Sequence, residues 1–233
     1  LDAFVLTLGL FVVFSGWGII LKGLTKVHLP VAWLPACGVL LCLTLGGPMV
    51  WFGLATAKGI GLLMLIGFSA AIMALFRWRN ASRQQYYSAG AKECLQGWTH
   101  FIGLLPSFAY LSTLYLLPSA MNLHDDLEKY LKHPVRLLAT GSLDSGPFDA
   151  LGESVLGGMA FLQSMPLLIG SLQFISVIDG IVAPICILLI FAWCCQHINI
   201  SPLWTFTGMA FFLAIDQMLV NISAVYMIAL PLV

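Results

Sequence analysis

Long apolar runs separated by short polar breaks organise this chain. Residues 3–21, 30–53, 59–76 and 101–121 are each nearly continuous in apolar side chains. A helical membrane span needs about 20 such residues, so each run predicts one crossing. The second run carries Gly46-Gly47-Pro48, which predicts a kink there. Residues 154–233 are also nearly all apolar, with breaks at Asp179-Gly180, Asn199-Ile-Ser201-Pro202 and Asp216-Gln217. They divide into three or four further spans, some short. Strands of a membrane barrel would show as alternating segments of about ten residues, and these runs do not alternate. The expected fold is all-α: a polytopic transmembrane bundle of about seven or eight spans. It divides into a four-span region (1–121), a polar loop (122–153) and C-terminal spans (154–233).

Composition supports this picture. The chain is 60% hydrophobic and 9% charged, and its mean hydropathy is +0.98. A soluble domain is about half apolar and about a quarter charged. Ten basic residues balance ten acidic ones, which argues against a nucleic-acid partner. Five of the six cysteines lie in apolar runs, none at metal-knuckle spacing, and read as packing residues. The chain begins at Leu1 and ends at Leu232-Val233 within an apolar run, which reads as part of a longer chain.

Charge then gives orientation. Arg77, Arg79, Arg83 and Lys92 crowd the segment after the third run. If that segment is cytoplasmic, alternation puts Lys22 and Lys26 inside as well. The loop 122–153 then falls on the external face, with Lys58. The segment from Arg77-Trp78-Arg79 to Tyr86-Tyr87 reads as an interfacial anchor, or alternatively a cytoplasmic docking site.

Candidate chemistry concentrates in that loop. His124, Asp125, Asp126, Glu128 and Lys129 directly follow an apolar run that ends near Met121. Charge beside hydrocarbon is costly, so such a cluster is a functional candidate. Residues 123–132 have helical spacing of Leu123, Leu127, Tyr130 and Leu131, and Pro134 is expected to end or bend that helix. The expectation is a short helix lying at the external interface. One of two adjacent carboxylates can accept a proton from an incoming hydroxyl, and their mutual repulsion raises one toward general-base range. Lys129, Lys132 and Arg136, with His124 and His133 nearby, could hold a phosphate leaving group. The bland alternative is a helix cap followed by a solvated face.

The run His124-Asp-Asp-Leu-Glu-Lys-Tyr-Leu-Lys-His-Pro134, with Thr140-Gly-Ser-Leu143, Pro147-Phe148 and Leu156-Gly-Gly158, resembles the loop of GT-C superfamily membrane glycosyltransferases. Asn221-Ile-Ser-Ala-Val-Tyr226 is similar to the mid-chain spans of bacterial proteins of that kind. The resemblance covers roughly residues 120–233. It implies a bacterial inner-membrane protein that uses a polyprenyl-phosphate sugar on the periplasmic side. Asp125 or Asp126 would be the general base, and His124, Lys129, Lys132 and Arg136 would bind the substrate. Some members use a divalent cation and others do not, so no metal is assigned.

Two other readings compete. The chain could be a non-catalytic integral membrane subunit of a larger complex. It could also be a transporter using Asp179 and Asp216, although no inverted repeat is visible. Asp179-Gly180 reads first as a cytoplasmic turn between spans, with a buried ion or proton site as the sharper reading. Asp216-Gln217 and Asn221 read as an interhelical hydrogen-bonding set. His100 and His197 lie near span ends, where interfacial packing is expected.

Overall fold

Three long apolar helices form the first unit. A computed structural model describes residues 2–85, 99–115, 132–143, 157–170 and 174–214. Helix α1 is Asp2–Thr25, α2 is Leu34–Trp51 and α3 is Ala57–Gln85. A single 3-10 turn, Val31–Trp33, leads into α2. One stripe of α1 is buried: Leu10, Phe14 and Trp17, with Thr7 one turn earlier. Apolar burial drives little helix association in lipid, so close backbone approach matters more. Gly16 of α1 meets Gly67 of α3 so closely that a side chain on Gly16 would enter the Gly67 carbonyl. Gly38 of α2 meets the Phe14 backbone of α1 in the same way. The Trp17 indole donates a buried hydrogen bond to the Leu63 carbonyl at 3.1 Å.

These crossings fix the directions. Gly18 packs on Leu34 and Gly38 on Phe14, so α1 and α2 are antiparallel. The connection 52–56 between α2 and α3 therefore lies at the end where α1 begins. Lys22 and Lys26 lie at the opposite end, with Arg77 and Arg79, ten and twelve residues beyond Gly67. We call these the Lys58 end and the Lys22 end.

The remaining helices are α4 (Leu104–Tyr115), α5 (Lys132–Thr140), α6 (Gly158–Ile169), α7 (Ala183–His197) and α8 (Pro202–Leu213). A π-helical turn, Ile178–Val182, runs directly into α7. Leu111 of α4 and Met209 of α8 pack against Ile181, Ile185 and Leu188 of this continuous helix. Its first turns share a core cluster with Leu6 and Leu10 of α1. Its far end stacks Trp193 edge-on against Trp33 at 6.0 Å, beside the start of α2. It therefore runs from the Lys58 end to the Lys22 end. Asn199, with φ of 59°, closes it, and Ser201-Pro202 opens α8. Proline suits that first helical position because its missing N–H has no intrahelical partner there.

The described residues are helical, as the apolar runs predicted. Four of these helices are long and apolar enough to cross a membrane: Phe4–Thr25, Val31–Trp51, Ala57–Arg79 and Ile178–His197. One expectation needs correction: the polar segment after the third run begins as a continuation of α3, whose backbone stays helical to Gln85. α2 runs through Gly46-Gly47-Pro48 as one helix, with Pro48 in its interior.

Candidate functional site

The site predicted from the loop is seen in part. His124, Asp125, Asp126 and Lys129 lie outside the described residues, as does Asp216. Lys132 and Arg136 are described, and both belong to α5. Pro134 was expected to end or bend a helix, and the described helix Lys132–Thr140 contains it. The inner face of α5 buries Pro134 and Leu137, while Lys132 and Val135 are exposed and Arg136 is half-buried. Lys132 and Arg136 stand four residues apart, on neighbouring turns of one helix flank.

The end of α5 fixes where these cations sit. Gly141 adopts a φ of 81°, closing the helix with its N–H on the Leu137 carbonyl at 2.8 Å. A residue with a Cβ is strained in that conformation. The Gly141 carbonyl accepts a hydrogen bond from the Ala55 N–H at 3.1 Å, and its Cα abuts Gly53. Residues 53–55 join two helices long and apolar enough to cross a membrane. α5 is tied to that connection, at the Lys58 end. Trp51, Phe52 and Leu54 are exposed there, as suits aromatic and apolar side chains at headgroup depth.

Helix α6 is unusual in being apolar, short and enclosed. Its 12 residues span about 18 Å, well short of the roughly 30 Å hydrocarbon core. Seven consecutive residues, Ala160–Pro166, are buried. Gly157, just before it, touches Leu143 after α5, and Phe161 lies over Gly46 of α2. Leu168 lies beside Gly61 in the first turns of α3. The helix that follows starts from the same end. α6 thus enters from the Lys58 end and returns to it, rather than crossing.

A polar pair sits where α6 meets the next helix. Asp179 is 2% exposed and Gln163 is 8% exposed. Gln163 Nε2 donates to Asp179 Oδ2 at 3.0 Å. Asp179-Gly180 is therefore not a turn between spans. It lies in the first turns of a buried helix, and the Gly180 N–H already bonds the Ser176 carbonyl at 2.8 Å. Ser176 three residues before Asp179 is the spacing of a capping box, a signal for a helix start. Gln163 was missed altogether. Its only trace is Gln163-Ser164 inside an apolar run, an unusual place for two polar residues.

At the Lys22 end, His100 is buried. Its Nδ1 lies 3.1 Å from Thr205 Oγ1, joining the turn Thr99–Phe101 to α8. His197 stacks on Trp193 at 5.1 Å. Cys42, Cys186 and Cys195 are buried, and all five described cysteines are unbridged. No cluster of three metal-ligating side chains occurs among the described residues. No family model, curated protein or solved structure matches this chain.

Proposed function

We propose that the protein is a membrane glycosyltransferase that transfers a sugar from a polyprenyl-phosphate donor at the Lys58 end, on the non-cytoplasmic face. The observation that carries this reading is the placement of Lys132 and Arg136. They share a helix tied to the connection between two candidate spans, which supports a place for them near lipid headgroups. Cations there suit a phosphate that stays at the surface while its lipid chain remains in the bilayer. The basic residues Lys22, Lys26, Arg77 and Arg79 gather at the other end, which supports a cytoplasmic face there.

In this reading Asp125 or Asp126 takes the proton from an acceptor hydroxyl. The acceptor oxygen bonds to the anomeric carbon as the bond from that carbon to the phosphate oxygen breaks. Polyprenyl phosphate leaves with the electron pair, and His124, Lys129, Lys132 and Arg136 hold its charge. A positioned general base contributes about 10²–10⁴-fold.

The test uses the full chain in lipid nanodiscs with a panel of polyprenyl-phosphate sugars. Asp125→Asn or Asp126→Asn abolishes transfer while the helical circular-dichroism signal stays unchanged. Full transfer by both variants overturns the assignment. A stoichiometric membrane partner with no turnover in any panel member would favour the subunit reading.

A further inference from the structure

We propose that Asp179 and Gln163 are positioning residues that set the place of Lys132 and Arg136 through helix α6. This rests on the glycosyltransferase reading for its consequence, though not for its geometry.

The path is short and made of packed contacts. Asp179 belongs to the most enclosed of the candidate spans. Its carboxylate holds Gln163, near the middle of α6. The start of α6 touches Leu143, three residues beyond the end of α5. Leu137 of α5 shares one core cluster with Phe161, Leu162 and Met165 of α6 and Ile178 beside Asp179. α6 does not cross the membrane, so it lacks the two boundary anchors that hold a spanning helix. Its flanks on α2 and α3 are apolar and small, with Phe161 over Gly46 and Leu168 beside Gly61. Such contacts are non-directional and tolerate sliding. The hydrogen bond to Asp179 is directional, and it fixes α6 along and about its own axis. A shift of α6 would carry the Gly157–Leu143 contact with it, and so α5.

A purely architectural pair would change stability alone. A positioning pair also changes how well the donor is held, with little effect on the chemical step. The experiment uses the full chain in nanodiscs and measures two quantities on the same variants. The first is KM and kcat for a polyprenyl-phosphate sugar. The second, independent of turnover, is the spin-label distance distribution between Val135 on α5 and Leu24 at the far end of α1.

Asp179→Leu and Gln163→Leu are each expected to raise KM about tenfold with kcat nearly unchanged, a ratio in the range of a strong interhelical hydrogen bond. Each is also expected to broaden the distance distribution. The double Leu variant should be no worse than Asp179→Leu alone, since the bond between the two residues is lost in both. Gln163→Glu combined with Asp179→Asn exchanges donor and acceptor, and is expected to restore both readouts. If the Leu variants fail to fold, Asp179→Ser and Gln163→Ser, which keep a polar group but are too short to span the pair, carry the same comparison. Unchanged distances and unchanged KM overturn the proposal. A raised KM with unchanged distances overturns it too, because the pair would then contact the donor itself. If the wild-type chain turns over no donor, the reading of function fails, and the distance distributions alone decide the positioning claim.

Discussion

The span Ala57–Arg79 of α3 and the span Ile178–His197 are 23 and 20 residues long and their most apolar stretches have the same mean hydropathy, yet 28% of the first stretch is buried and 72% of the second. One lines the outside of the bundle, where Leu62, Leu65, Phe68, Met73 and Phe76 are exposed. The other is wrapped by α1, α2, α4 and α8. In water such a difference would be written into composition, because the outer helix would need a polar face. In lipid both surroundings are apolar, so hydropathy reports only that a segment can enter the membrane. The distinction survives in the rare polar residues. Asp179 lies in the enclosed helix, where Gln163 can satisfy it, and the span of α3 has no acidic residue.

Four substitutions sharpen or break that contrast, each read by unfolding in mixed micelles. The largest effect is expected for Ile181→Ala. Ile181 is fully buried, and its loss leaves a cavity costing about 2–5 kcal/mol. Gly67→Val comes next, at about 1–3 kcal/mol, because a Cβ there would sit 2.6 Å from the Val13 carbonyl oxygen. Although α3 is the outer helix, this crossing on α1 is one of its tight points. Gly141→Ala is expected to cost about 1–2 kcal/mol, from its left-handed backbone and its contact with Gly53. Leu65→Ala, on the exposed face of α3, should stay within about 0.5 kcal/mol. Equal costs at Leu65 and Ile181 would show that both helices are equally enclosed, and would break the comparison.

The sequence made the helices legible because hydrocarbon leaves few ways to satisfy a backbone. The runs 3–21, 30–53 and 59–76 correspond to α1, α2 and α3, and Asn199 with Ser201-Pro202 marks the break between the last two described helices. Less legible was what each apolar run does. α6 reads like part of a span, and only its length and the shared end of its neighbours show that it returns. Lys132 and Arg136 were singled out by their charge, and both stand on the helix Lys132–Thr140, while residues 123–131 of the helix expected before it lie outside the described residues. Pro134, expected to end or bend a helix, stands within the one that holds these two cations. Gln163 and Asp179 are 16 positions apart, and nothing in either local pattern announces their pairing.

The central claim is that α5, α6 and the start of the enclosed helix share one end of the bundle. It can be tested directly by replacing the six cysteines and introducing single ones at Leu24, Leu54, Val135 and Ile169, all exposed. These are labelled with a membrane-impermeant thiol reagent in sealed, oriented vesicles. The account predicts that Leu54→Cys, Val135→Cys and Ile169→Cys react from one side and Leu24→Cys from the other. Reaction of Ile169→Cys from the Leu24 side would mean that α6 crosses the membrane, and would contradict it.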